Sequence, residues 1–119
     1  MELEKIIRAR KVICALSTHE NISTRLAYRF AKFLVCTQGE YEFYIKESEK
    51  RIKKYLADDG DGRLLIPSEK VPLFNDEMGQ LNQTEVDPPN VKFRLSELAT
   101  ELKINIEEAM YLFDFIQED

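Results

Sequence analysis

Residues 23–56 read STRLAYRFAKFLVCTQGEYEFYIKESEKRIKKYL, and this stretch decides the fold. Leu26, Phe30, Phe33, Thr37, Tyr41, Tyr44, Ser48, Ile52 and Tyr55 recur at steps of three and four. The mean step is close to the 3.6-residue turn of an α-helix, so these positions form one stripe. Ser23, or Asn21 before it, offers a short side-chain oxygen to the free N–H groups of the first turn. Gly39 is the weak point, costing ~1 kcal/mol relative to Ala, and is where a break is expected if there is one. Unbroken, the helix is ~50 Å long at ~1.5 Å per residue. A compact chain of this length has a radius of gyration of only ~13–14 Å. The helix must therefore overhang the core. Its distal aromatic stripe needs cover, either from residues 68–83 folding back or from a second copy, which makes a homo-oligomer an expectation.

The flanks read as shorter elements. Upstream, Leu3, Ile6, Ile7, Ile13, Cys14 and Leu16 fit one broad helical face over 3–16, interrupted by Arg8, Arg10 and Lys11. Downstream, Asp58-Asp59-Gly60-Asp61-Gly62 ends the long helix, because glycine takes the positive φ of tight turns and Asp bonds to nearby backbone. Leu64-Leu65-Ile66 is short enough only for a strand, closed by Pro67. Ser68 to Gln83 reads as a helix with Pro72 in its first turn, where a missing N–H is harmless. Residues 85–87 and 91–93 are extended around Pro88-Pro89. Ser96 is placed to cap a short helix over 97–103. A last helix starts at Asn105 or Ile106 and runs to about Gln117, its apolar face holding Ile106, Met110, Phe113 and Ile116 or Leu112. The expected fold is mostly α, formally α+β with a minor sheet from 64–66, 85–87 and 91–93. A long central helix carries helical hairpins at both ends, in a single domain over 1–119.

Composition narrows the function. With 44% hydrophobic and 33% charged residues, the 119-residue chain is globular rather than disordered. No apolar run reaches the ~18 residues of a membrane span, and the start MELEKIIRARK has no apolar stretch of signal-peptide length, so neither membrane nor secretion is expected. Net charge is −5, which disfavours a broad nucleic-acid surface. The charge is uneven: residues 1–56 carry 12 Lys/Arg and 7 Asp/Glu, whereas residues 57–119 carry 5 and 15. The two halves can neutralise each other, within the fold or between copies, or present a bipolar docking surface. Cys14 and Cys36 lie in apolar helical stretches and are expected to be buried thiols rather than a disulfide, as suits a reducing cytoplasm.

Catalytic and metal patterns are thin. The Asp/Gly cluster fails as a calcium loop: counted from Asp59, positions five, six and twelve are Arg63, Leu64 and Lys70. Two Cys and a lone His19 make no zinc set. His19 beside Glu20 is a conceivable His–carboxylate pair, but no nucleophile in a strand–turn context accompanies it, and no Gly-rich phosphate loop exists. The chain is read as a non-enzyme with no cofactor and no metal. Residues 95–117 have the pattern of a helix-turn-helix, with Ala99, Ile104, Ala109 and Leu112 in the packing positions. Lys103 stands where a turn glycine is customary, and Glu107, Glu108 and Asp114 would oppose phosphate. A DNA-binding regulator is therefore the alternative reading.

The order of parts also carries a resemblance. Ile22-Ser-Thr-Arg-Leu-Ala-Tyr-Arg-Phe-Ala-Lys-Phe-Leu34 leads a long helix to Lys54-Tyr55. The 58–62 turn, Ile66-Pro67, Phe74-Asn75-x-Glu77, Leu81, Glu85-Val86-Asp87, Leu95-Ser-Glu-Leu98 and an acidic hairpin to Ile116 follow. Over residues 3–118 this resembles a group of small proteins encoded by tailed phages and prophages. The resemblance implies a viral origin, a mostly helical fold and action in the host bacterial cytoplasm or in virion assembly. It transfers no site residues. The expected role is protein–protein interaction with a phage or host protein, as an assembly factor or an inhibitor of a host defence complex. Tyr41, Phe43 and Tyr44 and the basic end Arg51, Lys53 and Lys54 of the long helix are the candidate partner-binding residues, since aromatic and Arg side chains anchor such interfaces. The basic end also complements the negative end of the helix dipole.

Overall fold

The computed structural model describes residues 1–19 and 21–117. Six helices dominate: α1 (Leu3–Leu16), α2 (Thr24–Cys36), α3 (Gln38–Tyr55), α4 (Val71–Asn82), α5 (Leu95–Glu101) and α6 (Ile106–Leu112). Four two-residue strands join them: β1 (Ala57–Asp58), β2 (Leu64–Leu65), β3 (Phe93–Arg94) and β4 (Ile116–Gln117). The fold is mostly α with a minor short-stranded component, as the periodicity requires.

The strands do not form one sheet. β1 pairs antiparallel with β2, β3 pairs parallel with β4, and Glu85 makes an isolated bridge with Glu2. The expected sheet of 64–66, 85–87 and 91–93 is thus three separate pairings, because each segment finds its backbone partner in a different place along the chain. The β1–β2 turn is built as its residues require. Gly60 and Gly62 have φ of 96° and 82°. Asp58 Oδ1 accepts from the N–H groups of Gly60 and Gly62, and Asp59 Oδ1 from those of Asp61 and Arg63.

The long helix divides in two, and the break falls at Thr37 (φ −107°, ψ 8°) rather than at Gly39. The cause is a side chain from α1. The guanidinium of Arg10, only 8% exposed, donates to the Leu34 carbonyl at 2.7 Å and to Thr37 Oγ1 at 2.7 Å. It also reaches Gln38 Oε1 at 3.1 Å and stacks over the Tyr41 ring, 4.4 Å from its centroid. The Leu34 carbonyl is the group an unbroken helix would offer to Gln38. Thr37 Oγ1 donates in turn to the Phe33 carbonyl. Among the described residues no carboxylate pairs with this buried cation; neutral oxygens at the negative C-terminal end of α2 satisfy it. The residue read as an interruption of the apolar face is the pin that joins α1 to the α2–α3 junction.

The core lies between α1, the first half of the long helix and the C-terminal segment. Ile6, Ala9, Ile13, Leu26, Phe30, Phe33, Phe93, Leu98, Leu112 and Phe115 are fully buried in it. Phe33 meets Phe115 edge-to-face at 5.0 Å, and Phe30 meets Phe93 likewise at 5.3 Å. α3 and α4 pair as an arm beside this head. The molecule spans 54 × 30 × 24 Å with a radius of gyration of 17.5 Å, well above the ~13–14 Å of a compact chain. Residues 68–82 thus fold back on the overhanging helix, the first of the two covers the stripe required. Ser23 caps α2 through Leu26 N–H, and Asn105 and Glu108 form a reciprocal capping box on α6. α5 begins at Leu95, two residues before the expected start.

Candidate interaction surface

The predicted partner-binding residues are divided among different tasks. On α3, Tyr41 carries the Arg10 guanidinium on its ring. Arg51 donates through Nε to the Glu77 carbonyl at 3.3 Å and through Nη1 to Glu47 Oε2 at 3.0 Å. Lys54 Nζ donates to Glu77 Oε1 at 2.7 Å, and Tyr55 stacks edge-to-face on Phe74 at 6.2 Å. Arg51 and Lys54 therefore tie α3 to α4. Tyr44 is half-buried on the same side of the helix. Phe43 and Lys53 are exposed; helical spacing puts Lys53 on the side of α3 away from Arg51 and Ser48, and Phe43 in line with Glu47 and Lys54. The six residues do not form one patch.

Charge in the arm is tightly paired. The Lys54 ammonium, followed by the Tyr55 phenol, holds the Glu77 carboxyl below the ordinary carboxylate range. Arg51 and Lys50 do the same for Glu47. Glu77 in return raises Lys54 and Tyr55. These groups serve the pairing of α3 with α4.

Two other surfaces stand out, and periodicity alone ranked neither. The first is α6. Its predicted core residues Ile106, Met110 and Phe113 are 82%, 67% and 75% exposed. The side facing the core is instead Leu112 and the following Phe115, with Ala109 and Tyr111 half-buried beside them. α6 carries two apolar stripes, and the head has room for one. Phe33 receives Phe115, which turns Ile106, Met110 and Phe113 to solvent. Glu107 and Asp114 flank this outer stripe. Asp114 lies 3.7 Å from Lys5, and Glu107 accepts from the Tyr111 hydroxyl at 3.1 Å.

The second surface is the outer face of α2. An open cavity of about 450 Å³ is lined by Arg25, Tyr28, Arg29 and Lys32, with Lys92 and Asn90 opposite, and no acidic side chain among the described residues lines it. Tyr28 is 67% exposed, and Val35 two turns on is 75% exposed. Arg29 donates to the Lys92 carbonyl at 2.9 Å, and Lys92 Nζ to the Asp114 carbonyl at 2.8 Å. The mostly buried Glu97 lies 3.8 and 3.9 Å from Arg25 and Arg29. Arg25, Tyr28, Lys32 and Val35 recur at helical spacing and give a basic, apolar ridge.

The helix-turn-helix segment has helices α5 and α6 where the pattern puts them. The outer face of α6 presents three apolar side chains flanked by carboxylates, which phosphate would repel. Cys14 and Cys36 are free and exposed, not buried as expected. Each falls on the outer side of its helix, because Ile13, Leu16 and Phe33 already fill the core positions beside them. The His19–Glu20 pair lies outside the described residues, since Glu20 is not among them. Among the described residues, no three His, Cys, Asp or Glu side chains group as a metal site, and no helix is long and apolar enough to cross a membrane. No protein-family model, no curated protein and no solved structure matches the chain.

Proposed function

We propose that the chain is a phage-encoded, non-enzymatic protein-docking protein that acts in the host bacterial cytoplasm, as an assembly factor or as an inhibitor of a host defence complex. One observation carries this reading. Ile106 and Met110 on α6, with Phe113 directly after it, are 67–82% exposed, while Leu112 and Phe115 complete the core without them. Large apolar side chains clustered at the surface and bordered by charge mark a protein interface rather than a packing need. Phe43 and Lys53 add a second solvent-facing region on α3 that a partner can use. The phage origin rests on the resemblance in the order of sequence motifs.

The test is affinity capture from infected host lysate with tagged wild-type chain and with a Met110→Lys, Phe113→Lys variant, read by quantitative mass spectrometry. A protein enriched by the wild type and lost with the variant is the expected result. Virion components would indicate assembly, and a host complex would indicate inhibition. Equal recovery with both chains would overturn α6 as the docking face.

A further inference from the structure

We infer that the outer stripe of α6 docks on the basic ridge of α2 in a second copy of this chain, head to tail. Such docking rests on the reading of α6 as an interaction face and names its partner. The chemistry of the two surfaces is complementary. One presents Ile106, Met110 and Phe113 beside Glu107 and Asp114. The other presents Tyr28 and Val35 among Arg25, Lys32 and the cavity cations Arg29 and Lys92. Apolar groups meet apolar groups and carboxylates meet ammonium and guanidinium groups, which steers the approach and sets the orientation. The uneven charge of the sequence has the same sense: α2 belongs to the half rich in Lys and Arg, and α6 to the half rich in Asp and Glu.

Within one chain the two surfaces adjoin at an edge, where Lys92 Nζ donates to the Asp114 carbonyl at 2.8 Å, while Tyr28, Val35, Ile106 and Phe113 stay exposed. Phe33 and Phe115 touch edge-to-face at 5.0 Å in the middle of the head. An interface made of two different surfaces is heterologous. It leaves one free surface of each kind on every dimer and extends by addition of further copies. Self-assembly of this sort belongs with an assembly role rather than with inhibition by a monomer.

The test uses full-length chain in sedimentation velocity over a concentration series, at low and at high salt. The wild type is expected to gain average mass with concentration, and to lose that gain as salt screens the charges. A ridge variant, Tyr28→Ala with Lys32→Glu, and a stripe variant, Glu107→Lys with Phe113→Ala, should each associate at least about tenfold more weakly. All four positions are exposed, so both variants keep the wild-type circular dichroism and melting curve. Mixed together, the two monomeric variants should form a 1:1 dimer and nothing larger, because one supplies an intact stripe and the other an intact ridge. A wild type that stays monomeric up to sub-millimolar concentration would overturn the inference. So would association that survives both variants, or a mixture that fails to pair. If the wild type is monomeric but lysate capture still needs Met110 and Phe113, self-docking falls and α6 as a face for another protein stands.

Discussion

Arg10→Met removes the guanidinium and keeps the stem, so it isolates the pin between α1 and the α2–α3 junction. Three hydrogen bonds go, to Leu34 O, Thr37 Oγ1 and Gln38 Oε1, together with the stack on Tyr41. Hydrogen bonds to a charged group contribute ~1.5–3 kcal/mol each, and a carbonyl left unpaired away from water costs ~1–3 kcal/mol. The ring contact adds ~0.5–2 kcal/mol. Against these stands the relief of no longer burying a cation, which is several kcal/mol in the opposite direction. Thr37 keeps its bond to the Phe33 carbonyl, so the Leu34 carbonyl is the group most exposed to the loss. The balance is a destabilisation of about 3 kcal/mol, inside the range for removal of one member of a buried polar network. Chemical denaturation followed by circular dichroism measures it. Hydrogen exchange should show the amides of residues 38–41 losing protection first. Arg10→Lys keeps the charge but cannot span three acceptors from a planar fork, and should recover less than half of the loss. A change of less than about 0.5 kcal/mol for Arg10→Met, the level of an ordinary surface substitution, would refute the assignment of Arg10 as the pin.

Three further outcomes follow from the packing. Ser48 Oγ is buried with no hydrogen-bond partner among the described residues, so Ser48→Ala should stabilise the chain by ~1 kcal/mol, read as a rise in melting temperature; a fall would mean the hydroxyl is satisfied in solution. Glu47 and Glu77 have carboxyls held below the ordinary 4.5 by Arg51 and Lys54. Their contribution is present in full above the unfolded value and disappears as pH falls through the lower folded values. The arm should therefore lose helix protection as pH falls below the ordinary 4.5, and Glu77→Gln should flatten that acid limb in a hydrogen-exchange titration. Phe33→Ala should cost ~3–5 kcal/mol, whereas Phe113→Ala should stay within ~0.5 kcal/mol, and equal losses in denaturant unfolding would contradict the outward placement of α6.

Several features needed nothing beyond the sequence. The 3.6-residue stripe from Leu26 to Tyr55 required helix along that stretch, though not its division at Thr37, and the aspartates and glycines of 58–62 required a tight turn after it. Leu3 to Leu16 marked α1 to the residue, and Ser68 to Gln83 the helix that returns along the arm. These are local properties: each follows from side-chain spacing, capping chemistry or backbone φ within a few residues.

Tertiary structure decided which apolar stripe turned inward and what became of the polar groups between them. α6 has two stripes of equal local merit, and only the position of Phe33 selects Phe115 and releases Ile106, Met110 and Phe113 to solvent. Arg10 reads only as an interruption of the apolar face of α1 until the α2–α3 junction arrives beside it with three oxygens. The break at Thr37 then follows from Arg10, 27 residues away, rather than from the nearby glycine. Strand partners were equally open, because a two-residue extended segment pairs with any backbone brought alongside. Arg51 and Lys54 had surface composition but are spent on Glu47 and Glu77. Periodicity within a segment specifies that it is a helix; burial depends on which surfaces of other segments come to meet it, and that is a property of the assembled chain.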